Sequence, residues 1–406
     1  MNVFKLALRN VGRNGRRTVI TTGAMALAAT AMVVFTALGD GFTGSMERNA
    51  LGMDLGEVQA YAPGYRDDPD LYSVIEAPDA HVALLAQAGF RVVPRLYGFG
   101  LAAAGTSSAG VELRGIDLEA EPRVTALHTH LREGQWLDAS DPAGVVVGRK
   151  VARTLGVGVG DEIVVLGQAA DGSMANELYR VRGVLRPVGE RVDRAGVYMP
   201  ASAWRELFLM DSGAHALVAV REDAGGSLSD ATERFKTAAP GLDVHDWREL
   251  QPLLATMIDS SKVSLSVLML LVYAAIAALV LNAMLMSVFE RIREFGVMKA
   301  IGVTPIQVGG TIFLEAGIQT VVAGTIAVAI GLPIAVWLQS TGIDLRSAAG
   351  SFDAAGVAID PIWHARVSAR VVVEPILYLF VIAILAVTWP AIKAAVIAPI
   401  DAMRHR

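Results

Sequence analysis

The stretch SVFERIREFGVMKAIGVTP, residues 287–305, lies between two of the most apolar segments of the chain. It carries five charged side chains, at Glu290, Arg291, Arg293, Glu294 and Lys299. Lipid does not solvate such a cluster of charges, whereas each flanking segment is long enough to cross a bilayer. The stretch therefore predicts a turn of the chain at a membrane surface, between two spans.

The turn has the pattern of a short amphipathic helix. Apolar side chains recur at about helical spacing, at Ile292, Phe295, Met298 and Ile301. Two pairs of opposite charge have i, i+3 spacing: Glu290 with Arg293, and Arg291 with Glu294. Gly302 is placed to end this helix and Pro305 to begin the next one. We predict that residues 290–305 form a helical lever between the spans; a charged loop that only sets topology is the alternative.

The composition predicts a membrane protein. Of 406 residues, 53% are hydrophobic, and the mean hydropathy of +0.46 is too high for an ordinary soluble enzyme. A membrane span requires roughly 20 helical residues, and apolar runs predict four spans, at residues 18–39, 263–289, 306–340 and 371–392. A cleaved signal peptide is the alternative for the first, but its apolar run is long and lacks a small-x-small cleavage site. We expect a retained helix.

The placement of Lys and Arg predicts the orientation. Residues 1–17, 290–305 and 393–406 together carry 11 basic and three acidic side chains, whereas residues 40–262 carry 21 basic and 32 acidic ones. We therefore expect both termini and the turn in the cytoplasm, with residues 40–262 and the loop 341–370 outside. Residues 1–17 have amphipathic spacing and predict a helix on the inner leaflet, with a disordered basic tail as the alternative.

Residues 40–262 are long enough to form a domain with its own core. Short Val- and Tyr-rich stretches predict strands: GEVQAYA (56–62), AGVVVG (143–148), DEIVVLG (161–167), LYRVRGVL (178–185) and AGVYMP (195–200). Other stretches predict helices: PDAHVALLAQAG (78–89), RKVARTLG (149–156), PASAWRELFLM (200–210) and SLSDATERFKTAA (227–239). The predicted fold is four transmembrane α-helices plus a large α+β domain. The chain has no Cys, so no disulfide braces this domain.

The sequence offers little catalytic chemistry. His128 and His130 have no carboxylate at ligand spacing, so we interpret them as loop residues and expect no metal site. The glycines of LGVGVGD (155–161) lie between a predicted helix and a predicted strand, the reverse of the order in a phosphate-binding loop, and predict a turn. No Gly-Lys dipeptide occurs, which excludes a conventional P-loop ATPase. We expect a non-catalytic chain without a cofactor of its own and without nucleic acid as a partner.

Two polar side chains fall inside predicted spans. Asn282 is expected to form a hydrogen bond with a neighbouring helix, an interaction that contributes about 0.6–2 kcal/mol in lipid. Glu315 would cost several kcal/mol if it faced lipid, so we expect it near the cytoplasmic interface, paired with Lys299 or Arg293. A proton-relay role for Glu315 is the alternative.

Three separated motifs resemble the FtsX/MacB-like ABC transporter permeases. The pattern N-x5-VFERIREFGVMKAIG, which begins at Asn282, resembles the family signature after the second span. LALRNVGRNGRRTVIT (6–21) and WPAIKAAVIAPIDAMR (389–404) are similar to the family's start and end. The block from EGQWLDASDPAGVVVG (133–148) through YRVRGVL (179–185) is similar to the family's MacB-like periplasmic core domain.

The resemblance implies a coupling helix that docks on a separate ABC ATPase, which would bind the ATP and Mg. Its residues that match the motif are Glu290, Arg291, Glu294, Gly296, Lys299 and Gly302, and Arg293 belongs to the same charged cluster. It further implies a dimer with a second permease copy or a paralogue, two ATPases, and a chain without a fused ATPase domain, as in FtsX and the lipoprotein-releasing LolC/LolE pair. The location would be the bacterial inner membrane.

The family resemblance implies a mechanotransmitter that couples ATP hydrolysis to movement of the periplasmic domain. Lipoprotein, lipid, peptide and drug substrates all stay open, as does a periplasmic adaptor or lipoprotein partner. A secondary transporter is disfavoured because four spans without an internal repeat do not form an alternating-access site. A membrane receptor or scaffold with an outward sensing domain and no ATPase is the alternative.

Overall fold

A computed structural model describes residues 15–223, 226–344, 353–354, 357–358 and 362–397. The chain divides into two compact units. The helical unit comprises Met1–Gly44, Ser260–Ala348 and Pro361–Arg406, and the sheet unit comprises Ser45–Asp259 and Ala349–Asp360. Most of the helix predicted for residues 1–17, most of the tail 393–406 and much of the loop 341–370 lie outside the described residues.

The described chain contains helices and strands in alternation. The helices are α1 Gly15–Ala50, α2 Pro78–Gln87, α3 Arg149–Leu155, α4 Glu190–Ala195, α5 Ala201–Phe208, α6 Leu228–Ala238, α7 Trp247–Leu250, α8 Pro252–Glu290, α9 Ile292–Ala300, α10 Pro305–Thr341 and α11 Ala369–Val396. The strands are β1 Val58–Tyr61, β2 Phe90–Ala104, β3 Ser107–Ile116, β4 Leu131–Gly134, β5 Gly144–Val147, β6 Glu162–Gln168, β7 Met174–Leu185, β8 Gly196–Pro200, β9 Ala216–Arg221, β10 Asp243–Asp246, β11 Ile343–Asp344, β12 Asp353–Ala354, β13 Val357–Ala358 and β14 Ile362–Trp363.

Four helices, α1, α8, α10 and α11, are long and apolar enough to cross a membrane. Two of them continue well beyond the predicted spans: α1 runs to Ala50, and α8 begins at Pro252. Small residues on α10 recur every fourth position, at Ala323, Ala327, Gly331 and Ala335, and all are buried. A Cβ added at Gly331 would lie 3.2 Å from Val33, so this stripe allows α1 to approach α10 closely.

The helix α8 contacts the rest of the helical unit least. Only 11% of its most apolar window is buried within the chain, against 33% for each of the other three long helices. Its buried residues include Ile276 and Val280, which pack in a core with Met25 and Ala29 of α1 and Leu379 of α11. Most of the α8 surface is therefore free to face lipid or another polypeptide.

The sheet unit is built on a ten-stranded mixed sheet in the order β10-β1-β9-β2-β3-β8-β5-β7-β4, with β6 paired to β2 and β7. The pairs β3–β8 and β5–β7 are parallel, whereas the other pairs are antiparallel. The antiparallel β2–β3 hairpin is the longest pairing and runs from Arg95 opposite Ile116 to Ala104 opposite Ser107. Helices pack on this sheet around separate apolar cores, so the predicted α+β architecture is confirmed.

One core joins α5 to the β2–β3 hairpin through two glycines. Trp204 and Phe208 of α5 are buried, and Trp204 Nε1 donates a hydrogen bond to the carbonyl of Leu113 at 3.1 Å. A Cβ at Gly115 would lie 2.7 Å from the Cβ of Trp204, and one at Gly98 would overlap the ring of Phe208. These rings can pack flat on the sheet only because both strand positions lack a side chain.

All five predicted strands and all four predicted helices of this unit are present in the structure. The glycines after α3 form a turn, as predicted, with positive φ at Gly156 (+73°) and Gly160 (+95°). The strands β2, β3, β4, β9 and β10 were not predicted. The missed strands include the central hairpin, in which four Gly, four Ala and Pro94 interrupt the Val, Phe, Tyr and Leu residues that favour strands.

Candidate functional site

The turn between the second and third long helices has the predicted helix. Helix α8 ends at Glu290 and α9 spans Ile292–Ala300. Gly302 follows with φ of +97°, a conformation that favours glycine. Thr304 then caps α10: its hydroxyl accepts from the N–H of Gln307, the Gln307 side chain accepts from the N–H of Thr304, and Pro305 takes the first position. The predicted end at Gly302 and start at Pro305 are confirmed.

Arg291 joins α9 to the third long helix. Its Nη1 donates to Oε2 of Glu315 on α10 at 2.7 Å, and its Nε donates to Oε2 of Glu294 at 3.0 Å. The guanidinium also lies 5.3 Å from the ring centre of Phe295. The Arg291 and Glu315 side chains are 9% and 11% exposed, so the pair is buried and charge-assisted.

This pairing corrects one prediction and confirms another. Glu315 pairs with Arg291, not with Lys299 or Arg293, because the turn at Arg291 directs this side chain towards α10. The predicted i, i+3 pair of Arg291 with Glu294 is present. The side chain of Glu290 lies outside the described residues, and with it the predicted Glu290–Arg293 pair.

Lys299 joins the other end of α9 to the fourth long helix. Its Nζ donates to the carbonyl oxygens of Ala395 at 2.8 Å and Ile397 at 2.6 Å. These carbonyls belong to the last turn of α11, where helical backbone acceptors lack partners and the helix dipole favours a cation. Lys299 therefore caps α11, so α9 is bonded to both α10 and α11 in addition to its covalent link to α8.

The remaining residues of α9 divide between a buried and an exposed side. Ile292, Phe295 and Gly296 are buried. The exposed face of α9, taken together with the residue that follows the helix, includes Arg293, Glu294, Val297 and Ile301. Val297 is 48% and Ile301 77% exposed, and Ile306, just beyond, is 86% exposed.

The exposed face differs from the predicted one in two respects. Ile301 was predicted on the apolar side with Ile292 and Phe295, but it is exposed, because it lies four residues after Val297, to whose carbonyl its N–H still bonds, and so shares the exposed side of the helix. Val297 was missed, although its position four residues after Arg293 places it on the same side of a helix. Of the sequence-predicted coupling residues, Arg293 and Glu294 are available at the surface, whereas Arg291 and Gly296 are buried.

Asn282 lies on α8 with its side chain exposed. In the part of the chain that the structure describes, no residue forms a hydrogen bond with its amide. The predicted bond to a neighbouring helix is therefore not found among the described residues, and it stays a prediction.

The sheet unit contains a buried ionic network that sequence analysis missed. Asp54, in the π-helical turn Leu51–Leu55 that continues α1, accepts from Arg95 Nη1 at 2.9 Å and from Arg114 Nη1 at 2.6 Å. Arg95 also pairs with Glu121, and Arg114 with Glu112. Both arginines lie in strands that were not predicted, so nothing in the local sequence indicated that they are buried. The network fixes the turn that contains Asp54 to the centre of the sheet.

The described residues show no candidate metal centre. Among them, no group of three or more His, Asp or Glu side chains is arranged to hold an ion. His130 Nε2 donates to the carbonyl of Pro187 at 2.9 Å, which accounts for one member of the His128–His130 pair.

Two family profiles match the chain. The MacB-like periplasmic core domain matches residues 18–238, and the FtsX-like permease C-terminal domain matches residues 266–399. The first match covers more than half of the chain, and the second includes α9 and its contacts with α10 and α11.

Two curated relatives are similar in sequence to most of this chain. An uncharacterized ABC transporter permease, MJ1507 of Methanocaldococcus jannaschii, is 22% identical over 283 residues, which are 68% of this chain and 65% of that protein. The lipoprotein-releasing system transmembrane protein LolC of Xylella fastidiosa is 22% identical over 306 residues, 72% of each chain. The match thus spans just under two thirds of the MJ1507 permease.

Two solved structures align with about half of the chain. The periplasmic region of MacB from Actinobacillus actinomycetemcomitans aligns with a TM-score of 0.37 at 15% identity, covering 50% of this chain and 94% of that one. The extracellular domain of the ABC-type transporter YknZ from Gram-positive bacteria aligns with a TM-score of 0.34 at 15% identity, covering 47% of this chain and 98% of that one.

Proposed function

We propose, since this chain belongs to the FtsX/MacB-like family of ABC transporter permeases, that it is the non-catalytic membrane subunit that couples ATP hydrolysis by a separate ABC ATPase to movement of its periplasmic-type domain. In this proposal α9 is the coupling helix and lies in the cytoplasm, together with both termini. The excess of Lys and Arg in these segments supports that orientation in a bacterial inner membrane.

The observation that carries the proposal is the bonding of α9 to two other helices. Arg291 joins it to Glu315 of α10, and Lys299 joins it to the last carbonyls of α11. A force applied to the exposed face of α9 therefore acts on α8, α10 and α11 together. A loop that only set topology would not require a buried ion pair and a helix cap to hold it.

The exposed face of α9 has the composition of a protein-binding surface. Val297 and Ile301 present apolar side chains beside the charged Arg293 and Glu294. Exposed apolar residues surrounded by charges are typical of interfaces that need both burial and a fixed register. We assign this face to the ATPase.

The proposal includes a dimer in the membrane. The helix α8 is mostly exposed within the chain, and its Asn282 amide has no hydrogen-bond partner among the described residues. A polar side chain within a membrane span favours a helix–helix contact that satisfies it. A second permease copy or a paralogue would supply that contact along α8.

The test is co-purification of co-expressed candidate ABC ATPases with the full chain. Val297→Asp combined with Ile301→Asp should weaken ATPase association about tenfold or more, because two desolvated carboxylates oppose burial of this face. Val297→Thr combined with Ile301→Thr is the matched control; these residues keep β-branched shapes without charge, and association should be largely retained.

Thermal unfolding of the permease is measured beside the association, and it should change little because both positions are exposed. Undiminished ATPase association in the aspartate variant would refute the assignment of this face. Failure of every candidate ATPase to bind the parent chain would favour the receptor or scaffold alternative.

A further inference from the structure

The sheet unit contains an open cleft of about 840 Å³, lined by four segments of the chain. These segments are the turn around Asp54, residues 59–69 after the start of β1, the centre of the β2–β3 hairpin, and α4. Leu250 and Leu254 complete one wall. The volume lies in the range of small-molecule sites, roughly 300–1,000 Å³.

Every acidic side chain that lines the cleft is already paired with two cations. Asp54 accepts from Arg95 and Arg114. Glu112 accepts from Arg114 at 3.1 Å and from Arg191 at 2.8 Å. Glu190, at the rim, accepts from Lys150 and Arg194. The carboxylates of the cleft therefore do not require a positively charged ligand to balance their charge.

The cationic side chains of the cleft are not all paired with acidic side chains. Four arginines line the cleft: Arg66, Arg114, Arg191 and Arg194. Arg66 is exposed, and no acidic side chain of the described residues pairs with it. Asp67 and Asp68 follow it in sequence but do not line the cleft. The Arg191 side chain is 67% exposed, so it can bind a second anion while it still contacts Glu112. The rim is thus electropositive.

Two tyrosine hydroxyls add neutral donors to this surface. The rings of Tyr65 and Tyr97 are buried, but neither hydroxyl forms a hydrogen bond with another described residue, and both side chains line the cleft. Burial raises the pKa of Tyr65 and of Tyr97, so both hydroxyls stay protonated and can donate. The ring of Tyr61 stacks on that of Tyr65, with ring centres 5.7 Å apart.

We propose that this cleft binds a small organic anion. The acidic group would lie between Arg66 and Arg191 and accept from the Tyr65 or Tyr97 hydroxyl, and the apolar or aromatic body would lie against the tyrosine rings and Leu250. Charge-assisted bonds to guanidinium groups give such a site its preference for anions. The proposal does not depend on the coupling role of α9.

The test compares two fluorinated probes that differ in charge. The full chain in a neutral detergent is titrated with 4-(trifluoromethyl)benzoate or with the uncharged 4-(trifluoromethyl)benzamide, and binding is followed by fluorine NMR against empty micelles. The benzoate should bind about tenfold more tightly than the benzamide, because only the benzoate forms charge-assisted bonds. Its affinity should fall as ionic strength rises.

Variants locate the probe. Arg66→Gln should weaken benzoate binding about fivefold to tenfold and leave benzamide binding unchanged. Arg153→Gln is the matched control, since Arg153 is an exposed arginine of the same unit that does not line the cleft. Tyr65→Phe, which removes only the hydroxyl, should weaken benzoate binding to a smaller extent.

Three results would each overturn the proposal: no benzoate binding, equal affinity for the two probes, or equal effects of Arg66→Gln and Arg153→Gln. Because Arg66 lies on the surface, Arg66→Gln should fold normally, and unfolding midpoints verify this. No ATPase is present in the assay, so a negative outcome leaves the coupling role of α9 untouched, and loss of ATPase association would leave the cleft untouched.

Discussion

Replacing the Arg291–Glu315 pair tests whether it holds α9 against α10. We consider three variants: Arg291→Met, Glu315→Leu and the double replacement. Met and Leu approximate the volumes of the original side chains and introduce no new polar groups. If the pair acts as a buried unit, each single variant removes one partner of a buried charge and leaves the other, whereas the double variant removes both charges.

The expected magnitudes follow from burial. The two side chains are 9% and 11% exposed, with a donor–acceptor distance of 2.7 Å, and breaking one side of a buried pair costs about 3–5 kcal/mol. In Glu315→Leu, Glu294 still contacts Arg291, so we expect about 3 kcal/mol, and a similar loss for Arg291→Met. Apolar replacement of a whole pair is often near neutral, so the double variant should lose about 1 kcal/mol or less. The coupling free energy, which is the sum of the two single losses minus the double loss, should therefore be about 5 kcal/mol.

The assay is unfolding by sodium dodecyl sulfate in mixed micelles, followed by far-ultraviolet circular dichroism. The free energy of unfolding is compared among the parent and three variants. Single variants within about 0.5 kcal/mol of the parent, or a double variant equal to the sum of the singles, would refute the reasoning. Measured beside stability, ATPase association of the double variant then reports whether transmission needs the charges themselves or only the packing.

Two further predictions concern the sheet unit. Gly115→Ala should lower its stability by about 1–3 kcal/mol, because the added Cβ would lie 2.7 Å from Trp204. The control is Gly110→Ala in the same strand, where an added Cβ would meet no atom within 4 Å. Equal thermal midpoints of the two variants would contradict the close packing of Trp204 on Gly115. Burial lowers the pKa of His215 from 6.5 to about 4, so the folded unit binds fewer protons than the unfolded chain between these values. The free energy of unfolding should therefore fall by about 2–4 kcal/mol as pH drops from 6.5 to 4. His215→Gln should flatten that pH dependence. A parent chain whose free energy of unfolding does not change over this range would contradict the lowered pKa of His215.

The turn around α9 was predictable because its signals are local. Gly302 ends the helix through a positive φ, and the Thr304–Gln307 capping box and Pro305 begin the next one within four residues. Each of these features depends only on residues that are close in sequence. The same holds for the Arg291–Glu294 pair, whose spacing fixes the contact on any helix or helical turn.

The contacts that give α9 its proposed role were not predictable in the same way. Glu315 lies 24 residues after Arg291, and its choice of partner depends on the rotation of α10 about its axis, which packing decides. The β2–β3 hairpin was missed for a related reason: Gly98 and Gly115 weaken local strand preference, and only the rings of α5 on top of them explain their presence. The cleft was hidden as well, since its arginines come from segments far apart in sequence.

The cap that Lys299 places on α11 has a consequence for tolerance to mutation. Its two acceptors are backbone carbonyls, at Ala395 and Ile397, so side-chain substitution at either position leaves the acceptors in place. Those oxygens are available only because the helix stops there; one more turn of α11 would use them for its own i, i+4 bonds. The chain can therefore change the identity of these residues freely, whereas an insertion or deletion that moves the end of α11 would detach it from α9.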